Sequence, residues 1–208
     1  MDEGYYQNAR PEIFKIVPKS AKSVLEIGCA AGCFRLNFPN NIEYWGVEPV
    51  LEAAEQARLK NIKVFHETYN AVASQIPDEY FDVIVCNDVI EHISDTEHFL
   101  RSLKSKLSSK GVILGSIPNV RFWGNLFNLL IMKDWKYEQS GVLDKTHLRF
   151  FTRKSFLREM QQAGFDVIYL KGIESSKMKI LKALFWPILI FIGFDICAMQ
   201  IMFKAVKK

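Results

Sequence analysis

A chain of 208 residues that is 49% hydrophobic and 24% charged has the proportions of one folded globular domain, which excludes both a disordered chain and a polytopic membrane protein. The net charge of +4 is uneven: residues 171–208 hold seven Lys against Glu174 and Asp195, a balance of +5, leaving −1 on residues 1–170. The body of the chain therefore lacks the basic face that a nucleic-acid track requires, and nucleic acid is not an expected partner.

From the N-terminus, residues 23–27 form a short β-rich run that ends in Gly28-Cys29-Ala30-Ala31-Gly32, predicting a strand, a tight turn and the start of a helix. A second strand is expected at 43–48, closing on Glu48 before Pro49, and then a helix over 51–60. Further strands are expected at 62–65, 81–86, 111–117 and 165–171, with helices near 94–107 and 152–163 between them. Strands alternating with helices predict an α/β fold with a parallel sheet covered on both faces. The runs at 81–86 and 112–114 are almost unbroken apolar stretches, as strands buried on both faces should be. Two stretches break the alternation. Residues 119–151 are too long for an ordinary connection and carry Phe122, Trp123, Phe127, Trp135 and Tyr137; residues 183–203 are strongly apolar.

Four cysteines, Cys29, Cys33, Cys86 and Cys197, make no C-x-x-C pair, and no signal peptide precedes Asp2 and Glu3. Both features point to the cytoplasm, where thiols stay reduced, with Cys29 and Cys33 as small buried thiols rather than metal ligands.

In an open α/β sheet the ligand lies beyond the carboxyl ends of the strands, where a Gly-rich first turn lets backbone approach it. Gly28 and Gly32 stand at that turn, and Glu48 ends the next strand, where a carboxylate accepts hydrogen bonds from both hydroxyls of a ribose. The pair predicts a nucleoside-containing cofactor. Nicotinamide and flavin enzymes use G-x-G-x-x-G, and this turn lacks the second and third Gly, which disfavours a nicotinamide-dependent oxidoreductase.

The segment Val24-Leu25-Glu26-Ile27-Gly28-Cys29-Ala30-Ala31-Gly32 resembles the first motif of class I S-adenosylmethionine-dependent methyltransferases. Phe81-Asp82-Val83-Ile84 through Glu91-His92, and then Ser116-Ile117-Pro118-Asn119, resemble the later motifs. The likeness runs from about residue 5 to 173 and departs at Ala30, where the family usually has Gly. It implies a Rossmann-like doubly wound, seven-stranded sheet, mostly parallel, with an antiparallel last strand near the C-terminus at 199–205. It also implies S-adenosylmethionine as cofactor, with Glu26 and Gly28 at its methionine end, Glu48 on the ribose, and Asn87 and Asp88 beside the amino-acid portion. Cys29, Ala30 and Gly32 complete the turn, Pro49 and Val89 flank these positions, and Thr68 and Tyr69 fall at the adenine pocket. Tyr5, Tyr6 and Arg10 occupy the place of an N-terminal lid, or form the exposed start of a helix.

Methyl transfer from a sulfonium needs alignment, exclusion of water and a deprotonated acceptor. Asp88-Val89-Ile90-Glu91-His92 lies at the mouth of the same crevice, and residues three and four apart share a helical face, so Asp88, Glu91 and His92 can converge. With His147 as fourth partner, the set resembles the E-x-x-E-H plus downstream His site of small-RNA 3′-end methyltransferases and ubiquinone-pathway O-methyltransferases, with Asp88 in place of the first Glu. That resemblance implies Mg²⁺ or Mn²⁺ on Asp88, Glu91, His92 and His147. The competing reading makes His92 or His147 a metal-free general base, and the plainest one gives both histidines only local hydrogen bonds. Residues 119–151 are expected to cap the acceptor site, their aromatics either lining it or packing as an ordinary core helix near Phe122–Met132. The wording L-D-x-T-H-x-R-F-F-T at 143–152 is similar to methyltransferases of bacterial surface-glycan assembly, which implies a sugar hydroxyl, or another small-molecule hydroxyl, as acceptor. A catalytically inactive cofactor-binding partner protein is the alternative of a different class. Residues 183–194 are uncharged, well short of the roughly 20 needed to span a bilayer, and Pro187 and Asp195 interrupt any continuous helix. The basic-flanked stretch 177–194 is expected to cover the acceptor pocket or form a homodimer contact, with peripheral contact to the inner face of the membrane as the second reading.

Overall fold

The computed structural model describes residues 9–174, 187, 189–190 and 193–208. Seven strands build one sheet: β1 Ser23–Ile27, β2 Glu43–Val47, β3 Lys63–Phe65, β4 Phe81–Asn87, β5 Leu107–Pro118, β6 Phe165–Ile173 and β7 Gln200–Lys207. Their order is β3-β2-β1-β4-β5-β7-β6. Neighbours are parallel except where β7 pairs with β5 and β6, so β7 alone runs against the rest. This is the α/β sheet that the alternation predicts, with the antiparallel last strand that the family resemblance implies.

The longer helices among the described residues are α1 Leu51–Arg58, α2 Thr96–Lys106, α3 Trp123–Leu130 and α4 Arg153–Gln162. Two of them start where the sequence supplies a cap. The Asp95 carboxylate accepts from the His98 N–H at 3.0 Å, and Thr152 and Ser155 form a reciprocal capping box ahead of α4. Side chains alternate across the central strands. Leu25, Ile27, Ile84 and Cys86 pack under Phe99, Leu100 and Leu103 of α2 and Phe156 and Met160 of α4. On the other face Val24, Val83 and Val85 pack with Ala57 of α1 and with Phe34, Phe38 and Tyr44. Because β1 and β4 are covered on both faces, their apolar runs are nearly unbroken.

The helix expected after the first turn is a single 3-10 turn, Phe34–Asn37. Pro39 stands just beyond it, and the local free energy goes into rings rather than helical hydrogen bonds: Phe38 stands edge-on to Phe14, Phe34 and Tyr44 at centroid distances of 5.0, 5.5 and 5.3 Å. The fifth strand begins at Leu107 rather than 111, because the backbone already pairs there with Phe81 before a register shift. A Cβ on Gly111 would lie 2.6 Å from the Phe81 carbonyl oxygen, so the crossing at that shift needs glycine.

The aromatic stretch 119–151 divides in two. Its helix, α3, buries none of its residues, so it is not an ordinary core helix. Of 177–194, only Pro187, Leu189, Ile190, Gly193 and Phe194 lie among the described residues; Leu189 is buried on Ile196 and Cys197, with Leu126 of α3 against them. No helix among the described residues is long and apolar enough to cross a membrane.

Candidate active site

Strand order reverses between β1 and β4, and the segments leaving their carboxyl ends, with that of β2, border one crevice. Gly28 adopts φ +66°, and a Cβ there would meet Cγ2 of Val89 at 2.9 Å; only glycine lets the first turn lie against the turn after β4. Ala30 takes φ +48°, a left-handed conformation that usually calls for glycine. Its N–H donates to Glu48 Oε2 at 2.8 Å, while the Val50 N–H donates to Oε1 at 2.9 Å. Both oxygens of the buried Glu48 carboxylate are thereby aimed, each with lone pairs left for a diol. Burial raises the Glu48 pKa against the pull of those two N–H groups.

Glu26 stands near the carboxyl end of β1 and is buried. Its Oε2 accepts from the Tyr44 hydroxyl at 2.7 Å. Burial pushes its pKa up to about 8, with the Tyr44 hydrogen bond opposing and the Glu48 charge adding to the rise. A cationic ammonium in the crevice would suit this carboxyl by favouring its ionised form. Among the described residues the first turn leads into a single 3-10 turn rather than an α-helix, so it lacks the helix dipole and free N–H groups that receive a pyrophosphate in dinucleotide enzymes.

The second cluster sits past β4, in the 3-10 turn Ile90–His92. Glu91 is fully buried, and neither of its carboxylate oxygens has a hydrogen-bond partner among the described residues. Burial holds its pKa well above the usual carboxylate range, and the nearby Asp88 charge adds to this. His147 Nε2 lies 4.0 Å from Glu91 Oε1, and the His92 and His147 rings meet edge-on at 4.8 Å. One ligand atom each from Glu91, His92 and His147 falls within 4.8 Å of the others.

The tautomers follow from the partners. His147 Nδ1 is 3.1 Å from the Val142 carbonyl, and His92 Nδ1 is 3.2 Å from the Thr146 carbonyl. A carbonyl only accepts, and the Thr146 hydroxyl, also 3.2 Å from His92 Nδ1, spends its proton on Asp144, so in the neutral ring each Nδ1 carries the proton and each Nε2 the lone pair, as carbonyls behind metal-binding histidines impose. Burial lowers the His147 pKa, which keeps that ring neutral. The backbone holds the cap against this turn: the N–H groups of Leu148 and Arg149 both donate to the Glu91 carbonyl, at 2.9 and 3.0 Å. Trp135 and Tyr137 reach His147 through Phe150, with centroids 5.4 and 6.2 Å from the Phe150 ring.

Asp88 stands apart from that ligand set, which corrects the fourfold expectation. Its Oδ2 accepts from Arg10 at 2.6 Å and from the Gln200 amide at 2.8 Å, and its Oδ1 from the Ser116 hydroxyl at 2.9 Å. The shorter aspartate arm ends in this buried network at the ends of β4, β5 and β7. Arg10 stands just ahead of the short helix Pro11–Phe14 but is buried, so it is not the exposed start of a helix, and it also meets Ser116 and Glu12 at 2.8 Å. Tyr5 and Tyr6 lie outside the described residues. Cys29 is buried beside the first turn, with burial raising its pKa. Pro49 is exposed and its carbonyl faces His66 Nε2 at 3.2 Å. Thr68 is exposed ahead of the single helical turn Tyr69–Val72, while Tyr69 is buried with its hydroxyl 2.9 Å from Ser102. Tyr44 and Gln200 are participants that motif reading missed, and Ser116 was quoted in a motif without a role; only strand register brings them to Glu26 and Asp88.

A family model described as a methyltransferase domain matches residues 2–170. Among curated proteins the chain is similar to the ubiquinone biosynthesis O-methyltransferase of Aeromonas salmonicida, 24% identical over 164 residues that cover 76% of this chain and 68% of that protein. The protein of the same name from Azorhizobium caulinodans is 26% identical over 163 residues, covering 75% and 63%. The chain thus spans about two thirds of the length of these relatives. Among solved structures, a SAM dependent methyltransferase from Archaeoglobus fulgidus shares the fold with a TM-score of 0.70 at 20% identity, over 96% of this chain and 92% of that one. With the Gly28 turn, the oriented Glu48 and the antiparallel β7 in place, the chain belongs to the methyltransferase-domain family and is a class I S-adenosylmethionine-dependent methyltransferase.

Proposed function

We propose that the methyl group goes to an oxygen, the hydroxyl of a sugar, glycan or other small molecule, at a centre where Glu91, His92 and His147 hold a divalent cation. The observation that carries this reading is the Glu91 carboxyl, fully buried, without a hydrogen-bond partner among the described residues and facing two imidazole lone pairs. An orphaned buried carboxyl is costly, and a cation satisfies it. Two imidazoles and one carboxylate suit Mn²⁺ better than Mg²⁺, which prefers an all-oxygen shell. The O-methyltransferase names of the curated relatives support oxygen as the acceptor atom.

S-adenosylmethionine supplies a methyl group already activated on sulfur, and a bound cation would lower the pKa of an acceptor hydroxyl. The protein's own residues do the rest. Glu26 faces the ammonium, Glu48 takes the ribose diol, and the Asn87–Asp88–Val89 turn borders the amino-acid end. Residues 119–151 cap the acceptor site and exclude water, with Trp135, Tyr137 and Phe150 as its aromatic wall. A second reading needs no cation: burial keeps His147 neutral, and its Nε2 accepts the hydroxyl proton directly.

Labelled S-adenosylmethionine incubated with glycan, quinone-precursor and RNA fractions tests the acceptor; label in RNA alone overturns the small-molecule and glycan reading. His92→Ala and His147→Ala should each slow transfer by about a hundredfold or more while leaving cofactor affinity nearly unchanged. Chelation that stops transfer, with recovery on adding Mn²⁺, supports the cation. Full activity after chelation, with His147→Ala inactive, replaces it by the general base.

A further inference from the structure

The loop at 142–149 supports each member of the Glu91, His92 and His147 cluster with main chain. The Val142 carbonyl lies 3.1 Å from Nδ1 of His147 and the Thr146 carbonyl 3.2 Å from Nδ1 of His92, while the N–H groups of Leu148 and Arg149 donate to the Glu91 carbonyl. Where this loop points its carbonyls therefore decides which edge each ring shows to the cluster. The loop has neither helix nor strand to hold it, only the single bridge between Glu138 and Asp144.

A side chain does the holding. Asp144 Oδ1 accepts from the Thr146 N–H at 2.8 Å and from the Thr146 hydroxyl at 2.7 Å, the turn that a short carboxylate closes on backbone two residues ahead. The Asp144 carbonyl accepts from the His147 N–H at 3.0 Å, and beside it the Lys145 N–H donates to the Glu138 carbonyl at 3.0 Å. The hydroxyl bond has a second effect. Thr146 Oγ1 stands 3.2 Å from His92 Nδ1, and a hydroxyl donates as readily as it accepts. Freed from Asp144, it would donate to Nδ1, leaving the ring proton on Nε2 and removing the lone pair that a cation needs. Bound to Asp144, it offers Nδ1 only an acceptor, as the Thr146 carbonyl does. Asp144 is not one of the three ligand groups, and among the described residues no hydrogen bond joins its carboxylate to them.

We propose that Asp144 is the positioning residue of this centre: by occupying both donors of Thr146 it keeps His92 in the Nδ1–H tautomer, with the Nε2 lone pair open to the site. The spacing D-x-T-H then has a physical reason. The carboxylate reaches the N–H and hydroxyl two residues on, and the next residue, His147, enters the cluster with its own N–H on the Asp144 carbonyl. The hydrogen bonds, rather than the charge, carry this role, because a negative charge beside two imidazoles favours their cationic form, which has no lone pair to give. The consequence for Mn²⁺ rests on the reading of Glu91, His92 and His147 proposed above, whereas the tautomer requires no cation.

The test is nitrogen NMR of the full chain carrying labelled histidine, without metal and at about pH 8, where imidazole is neutral. His92 is expected as the Nδ1–H form in the parent chain and in Asp144→Asn, whose amide oxygen still accepts from both Thr146 donors. In Asp144→Ala the Nε2–H form should appear, and adding Thr146→Val, which removes the competing hydroxyl, should return His92 to Nδ1–H. Calorimetry with Mn²⁺ should show affinity about 10–100-fold weaker in Asp144→Ala and close to the parent in Asp144→Asn, the cost usual for an outer partner of a metal-binding histidine. S-adenosylmethionine affinity should be the same in all, which reports that each variant is folded. An unchanged His92 tautomer in Asp144→Ala overturns the proposal, and so does its loss in Asp144→Asn, which would assign the effect to charge. Should Asp144→Ala not fold, the Asn variant decides by that same criterion. A parent chain that binds no Mn²⁺ removes the cation reading and leaves the tautomer result standing; tight Mn²⁺ binding by a parent whose His92 is Nε2–H does the reverse.

Discussion

Two carboxyls in this chain are defined by what surrounds them rather than by motif position. Glu26 has a pKa of about 8 in the cofactor-free protein, so it is mostly protonated at neutral pH. If it binds the cofactor's ammonium, it must ionise on binding, and affinity for S-adenosylmethionine should weaken by up to about tenfold per pH unit below pH 8. Calorimetry in buffers of different ionisation heat should register the released proton, and Glu26→Gln should abolish both effects. The stability of the cofactor-free protein follows the same group. The native state holds the proton more tightly than the unfolded chain, whose ordinary value is 4.5, so this contribution is lost as pH rises from there through about 8. Melting temperature should accordingly fall over that window and recover on adding cofactor. Glu91 sets stability against activity. Replacing it by Leu removes a buried carboxyl that has no partner among the described residues and should stabilise the protein by about 1–3 kcal/mol in denaturant titrations, while removing the cation binding proposed for this cluster.

Glycines decide how closely the elements around the crevice approach. Gly32, at φ +75°, lies under α1, where an added Cβ would meet Ile62 Cδ1 at 2.7 Å and the Ala57 Cα at 3.0 Å. The helix backbone cannot give way as a flexible side chain could, and the φ penalises any L-residue. Gly32→Ala should therefore cost about 2–4 kcal/mol, combining backbone strain with overpacking, and should weaken cofactor binding by moving α1 off the end of β2. A melting curve within about 1 °C of the parent would show that α1 shifts freely. By contrast, the Ala30 departure from the family is absorbed in place: its left-handed backbone is retained, and its N–H still reaches Glu48.

Across the whole molecule, the network of Arg10, Asp88, Ser116 and Gln200 joins the N-terminal segment to β4, β5 and β7 beneath the crevice. A buried ion pair contributes little over an apolar pair, but breaking one by removing a single partner is costly. Arg10→Gln leaves the Asp88 charge buried and should lower unfolding free energy by about 3–5 kcal/mol, read from urea midpoints. Asp88→Asn combined with Arg10→Gln should recover part of that loss. If the double variant is as unstable as the sum of the singles, the two residues do not act as a pair.

Local pattern was enough for the strands at 23–27, 43–48 and 81–86 and for the capped helices α2 and α4, because a two-sided apolar strand and a capped amphipathic helix are written in neighbouring residues. The antiparallel direction of β7 came from the family resemblance, since no local pattern states which way a strand runs beside its neighbours. The Gly28 turn and Glu48 were legible because the geometry they serve is built within one β-turn-β unit. The pairing of Asp88 was not, since its three partners are 28 to 112 residues away and meet it only when β4, β5 and β7 lie side by side. Spacing placed Asp88 with Glu91 and His92 on one helical face, but the chain there is a 3-10 turn entered from a left-handed Asp88, which separates them. The helix expected after the first turn failed for a related reason, because the rings of Phe14, Phe34, Phe38 and Tyr44 compete with the helix backbone and come together only in the folded core. Local chemistry thus set which residues form strands and the first turn; long-range packing decided that Asp88 is tied into a network while Glu91 has no hydrogen-bond partner among the described residues.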